Sequence, residues 1–101
     1  MGSRPNLQTE LESLLGSRNV YFQPPESIKM RYPAIVYALD DIENLHANGG
    51  IYLSNRKYLV TLIDSDPDSR FIELLNSFSH SKFNRHYKSD NLNHYVYSIY
   101  Y

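Results

Sequence analysis

Leu7, Leu11, Leu14 and Leu15 recur at the spacing of one helical face, which predicts an amphipathic helix over the first segment. Pro5 suits its first turn, Glu10 and Glu12 lie on its polar side, and Gly16 is placed to stop it. A short strand, Asn19 to Phe22, follows, and Pro24 and Pro25 end it because neither can donate to a ladder. Gln23 to Arg31 reads as a loop. Tyr32 to Leu39 (YPAIVYAL) is apolar at nearly every position, which predicts a strand inside a sheet, with Pro33 tolerated near its start.

Asp41 to Ser54 is polar and contains Asn48-Gly49-Gly50, which predicts a long, mobile hairpin loop. Arg56 to Asp64 (RKYLVTLID) is the next strand. Tyr58, Val60 and Leu62 face one side of it, and Leu59, Thr61 and Ile63 the other. Asp66 is expected to cap a second helix with Pro67 at its first position, and Phe71, Leu74, Leu75 and Phe78 to form its apolar face. Ser79 to Lys82 reads as a loop. Phe83 to Lys88 and His94 to Tyr101 form a last hairpin turning at Ser89-Asp90-Asn91. The expected order is α-β-β-β-α-β-β: one α+β domain over residues 1–101, a mainly antiparallel sheet with two helices on one face.

The chain's 101 residues leave room for one modest core, so added burial against neighbouring subunits would be useful. A net charge of −1 lacks the footprint of a nucleic-acid binder. The absence of cysteine excludes disulfides, thiolate zinc sites and a cysteine nucleophile. No apolar run suits a membrane helix or a signal peptide, so a soluble, non-exported chain is expected. Ten tyrosines against four phenylalanines and no tryptophan suit half-buried faces and interfaces, although strand propensity alone also favours tyrosine.

The candidate chemistry is thin. Asp64 to Asp68 begins like a calcium loop, but Ser69 and Leu75 stand where glycine and a bidentate carboxylate are needed. His86 and His94 fall across the last hairpin, so a two-histidine site is conceivable there, without a further ligand nearby. A small nuclease using His86, His94 and Arg85 is the enzyme reading. Arg70, Lys82, Arg85 and Lys88 interleave with Phe83 and Tyr87, which is the nucleic-acid reading. No nucleophile elbow and no phosphate-cradling glycine loop occur.

Four pieces in order carry a family resemblance: the N-terminal amphipathic helix, VYFQPP with RYPAIVY, a glycine-containing loop leading into RKYLVTLIDSDPDS and a helix, and FNRHYKSDNLNHYVYSIYY. In order and spacing the whole chain resembles the tail terminator proteins of long-tailed, lambda-like bacteriophages. It resembles still more closely the small tail-completion proteins of phages and prophages of Gram-positive bacteria. The resemblance implies a virion structural protein at the head–tail junction, assembled in the host cytoplasm, without enzymatic activity or cofactor. It implies a homo-oligomeric ring, usually a hexamer. The ring would cap the major tail tube protein, end polymerisation and dock to a head-completion or connector protein, with no membrane or specific nucleic acid as partner. A connector at the same junction is the close alternative. Because a ring subunit buries side surfaces against two neighbours, the expected contacts fall on two segments. The central loop with its flank supplies Asn48, Gly49, Tyr52 and Arg56, and the last hairpin supplies Arg85, His86, Tyr87, Tyr95, Tyr97 and Tyr101.

Overall fold

The computed structural model describes residues 3–47 and 50–101, with backbone alone for 45–47 and 50–54. The elements are α1 (Arg4–Leu15), β1 (Val20–Phe22), β2 (Ala34–Ala47), β3 (Gly50–Asp64), α2 (Phe71–Asn76), β4 (Ser81–Ser89) and β5 (Leu92–Tyr100). The fold is α+β, in the expected element order. Five strands form one sheet in the order β1-β2-β3-β5-β4, parallel between β1 and β2 and antiparallel elsewhere.

The leucine stripe and its stops set α1. Ser3 caps it, with its hydroxyl accepting from Asn6 N–H. Gly16 ends it at φ 75°, a left-handed conformation that costs glycine little and other residues more. Leu7, Leu11 and Leu15 are buried against the sheet face formed by Ile35 and Tyr37 of β2, Tyr58, Val60 and Leu62 of β3, and Tyr95, Tyr97 and Ile99 of β5. Phe71 and Leu75 of α2 close the same core. Both helices therefore lie on one face of the sheet.

Four of the ten tyrosines are spent on that core. Tyr37, Tyr58, Tyr95 and Tyr97 are buried. A buried phenol needs a partner for its hydroxyl, and three of these hydroxyls bond the layer above the sheet. Tyr37 donates to Gln8 Oε1 (2.5 Å), Tyr95 to the Pro67 carbonyl (2.7 Å) and Tyr97 to the Ile72 carbonyl (3.3 Å). Gln8 in turn donates to Glu12 and to the Val20 carbonyl, so one polar network ties α1 to β1 and β2. Burial pushes the pKa of Tyr37, Tyr95 and Tyr97 up from the ordinary phenol value.

Three sequence expectations change. Residues 41–47 and 50–54 are strand, not loop. They continue β2 and β3 as a paired ribbon whose register runs to Ala47↔Gly50. Ladder hydrogen bonds satisfy this polar backbone without an apolar pattern to announce it. Asp66 does not cap α2. Its carboxylate accepts from Asp68 N–H (2.9 Å) while Asp64 accepts from Asp66 N–H (3.1 Å), two local turns that delay the helix to Phe71. In the resulting six-residue helix Leu74 turns outward, and Ile72 packs against the core in its place. Finally, β4 starts at Ser81, inside the expected loop. The last turn holds as expected: Asp90 and Asn91 have φ of 53° and 62°, the pair of left-handed residues that a tight two-residue hairpin requires.

Candidate interaction surface

The β2–β3 ribbon outruns its neighbours. β1 pairs with β2 only as far as Phe22↔Tyr37, and β5 pairs with β3 only from Lys57↔Tyr100. Gln23 closes the corner: its N–H reaches the Tyr37 carbonyl (2.9 Å) and its side-chain oxygen accepts from Leu39 N–H (3.3 Å). Beyond that point the ribbon is two strands wide and forms an arm. The chain accordingly measures 51 × 27 × 23 Å with a radius of gyration of 14.7 Å, against about 13 Å for a compact chain of this length.

A bulge at Asp40 marks the arm's base, because Leu39 pairs with Tyr58 while Asp41 pairs with Lys57. Lys57 Nζ meets Asp40 Oδ2 at 3.2 Å, which raises the lysine's pKa. Asp41, Ile42, Glu43 and Asn44 are all exposed, and Ile42 N–H is met by its neighbour's carboxylate, Asp41 Oδ1 (2.8 Å).

The second surface is β4, which forms an edge of the sheet. From Lys82 to Ser89 every side chain is exposed. Asn84 bulges between Phe83↔Tyr97 and Arg85↔Val96, and its amide donates to Ser98 Oγ (2.8 Å). The register puts Phe83 and His86 on the helix-bearing face and Lys82, Arg85 and Tyr87 on the opposite one. Because α2 stops at Asn76, it leaves part of this strand uncovered. A groove of about 310 Å³ remains between them, lined by Ile72, Asn76, Phe83, His86, Tyr95 and Tyr97. Phe83 is 47% exposed at its rim.

The expected contact residues divide. Arg56, Arg85, His86 and Tyr87 are exposed, at the arm's base and along β4. The Arg85 guanidinium lies 5.2 Å from the centre of the Tyr87 ring. Tyr95 and Tyr97 are corrected to core residues, since their rings and hydroxyls face α2 and the turn before it. Tyr101 is half-buried against Phe78 and donates to the Glu10 carboxylate, a bond that pushes its pKa up to about 12. Its role here is to fasten the end of the sheet to α1. Asn48, Gly49 and the Tyr52 side chain lie outside the described residues.

The two-histidine site is also corrected. His86 pairs with Tyr95 and His94 with Tyr87, so the imidazoles stand on opposite faces of the hairpin. Each stacks on its tyrosine, at 4.8 Å and 4.6 Å between ring centres. His86 Nε2 is bonded to Asn93 Oδ1 (2.9 Å). Among the described residues no three histidine, aspartate or glutamate side chains are placed to share a metal ion, and no helix is long and apolar enough to cross a membrane.

Sequence reasoning missed Ile42 and singled out Phe83 only in the nucleic-acid reading; both are apolar side chains, left 44% and 47% exposed. It also missed the segregation of charge. β2 carries Asp40, Asp41 and Glu43 with no lysine or arginine, whereas β4 carries Lys82, Arg85 and Lys88 with no acid. That signal was present in the residues, but it needed strand boundaries to become visible. In comparison with known proteins, no family model and no curated protein matches the chain.

Proposed function

We propose that this chain is a virion structural protein of the phage head–tail junction. It forms a ring that caps the tail tube, ends its polymerisation and docks the tail to the head. The observation that carries the reading is the bare arm of β2 and β3, held out from a helix-backed body. A two-stranded ribbon is marginal in water by itself. Its exposed residues, Asp41 to Asn44, gain little until another surface covers them. An assembly subunit has such a surface available, on a neighbouring copy or on the tube. The exposed β4 edge is a second surface of the same kind. The resemblance of the four sequence pieces to tail terminator and tail-completion proteins supplies the particular assembly.

The test is to delete the coding sequence from the phage or prophage that carries it and to inspect tails by electron microscopy. Overlong tubes that fail to join heads are expected, and purified chain added back should decorate tube ends. Tails of normal length that still join filled heads would overturn the reading. Tails of normal length that cannot join heads would move the chain to a connector role at the same junction.

A further inference from the structure

The two exposed surfaces match each other. Past Leu39 the outer edge of β2 has lost β1, and among the described residues no strand lies beside the outer edge of β4. Each is a row of backbone groups able to accept another strand. Two β4 edges would bring Lys82, Arg85 and Lys88 of both copies together, which disfavours pairing like with like. Two β2 edges would do the same with Asp40, Asp41 and Glu43. An acidic edge on a basic one has complementary charge.

The faces match as well. Asp41 pairs with Lys57 and Glu43 with Asn55, which places both acids on the face away from the helices. Lys82 and Arg85 lie on that same face, and the Asn84 bulge brings them two ladder steps apart, the separation of Asp41 and Glu43. On the helix-bearing face, among the described side chains, the exposed apolar residue of the arm is Ile42, and that of β4 is Phe83, beside the groove under α2. β4 runs antiparallel to β5, which runs in the direction of β2. Repeating the molecule in one orientation therefore sets β4 antiparallel to the next copy's β2.

We infer that the arm of one copy pairs with β4 of the next. Asp41 and Glu43 then face Arg85 and Lys82 on one side, and Ile42 lies beside Phe83 on the other. The contact is heterologous, so repeating it closes a ring or extends a chain. On pairing, Ile42 N–H would exchange its local acceptor, Asp41 Oδ1, for a carbonyl of the partner strand. This inference deepens the ring reading above by naming the interface, and it rests on that reading for its biological setting.

The experiment uses the whole chain in two charge-reversed forms, Asp41→Lys/Glu43→Lys and Lys82→Glu/Arg85→Glu, followed by sedimentation velocity over a concentration series at low salt. The wild-type chain is expected to associate, and to associate less as salt is raised. Each reversed form alone should lose the associated species. An equal mixture of the two should recover it, since every arm then meets an edge of opposite sign. All four positions are exposed, so urea midpoints should stay close to the wild-type value, with a small loss where Asp41→Lys sets a lysine opposite Lys57. If a reversed form unfolds, the neutral pair Asp41→Asn/Glu43→Gln takes its place and should lose part of the association. The inference is overturned if the wild-type chain stays monomeric throughout, if the reversed forms associate normally, or if the mixture fails to recover. None of these results touches the ring reading, which falls instead on normal tails made without the chain.

Discussion

The body of the sheet and its arm are built from the same two strands, yet they are held in different ways. In the body, β2 and β3 carry Ile35, Tyr37, Tyr58, Val60 and Leu62 under two helices, and phenol hydroxyls fasten the layers together. In the arm, the same strands carry Asp41, Ile42, Glu43 and Asn44 into solvent, with the ladder as their support. The body is stabilised mainly by burial, so it is complete within one copy. The arm has its backbone hydrogen bonds but little burial, so its exposed side chains add little to the stability of one copy.

Paired truncations should expose that difference most sharply. Leu11→Ala, at a fully buried position, should cost about 2–5 kcal/mol in urea unfolding. Ile42→Ala, on the arm, should stay within about 0.5 kcal/mol. Equal losses at the two sites would erase the distinction between body and arm.

A smaller effect is expected at the end of α1. A side chain at Gly16 would meet nothing within 4 Å, so Gly16→Ala tests backbone conformation alone and should cost about 1 kcal/mol at its φ of 75°. The smallest effect concerns pH. Tyr101 holds its proton more tightly in the folded chain than its ordinary value of 10.0 implies, up to about 12, because its hydroxyl donates to Glu10. Its contribution is therefore complete below pH 10.0 and is lost as pH rises through about 12. Tyr101→Phe should lower the urea midpoint slightly at neutral pH and flatten the alkaline decline, which the buried phenols Tyr37, Tyr95 and Tyr97 then maintain.

Much of the body was legible in the residues. The leucine spacing with Gly16 defined α1, the alternation of Tyr58, Val60 and Leu62 marked the buried face of β3, and Asp90-Asn91 located the last turn. The arm was not legible, because its strands follow the ladder's hydrogen bonds and lack an alternating apolar face. The α2 boundary was misplaced for a related reason: an aspartate before proline caps a turn as readily as a helix. For the contact surface, alternation revealed that Tyr95 and Tyr97 share a face of β5, while only the position of the helices decides that this face is inward. Arg85 and Tyr87 are exposed because β4 is an edge open from Lys82 to Ser89.

The sheet's order has a consequence for synthesis. β5 is made after the other described strands, yet it lies inside the sheet, between β3 and β4, and Tyr101 reaches back to Glu10 across the chain. A nascent chain can thus form α1 and pair β2 with β3 early, but its interior is sealed only once β5 has emerged. During that interval the flank of β3 that β5 will cover stands open.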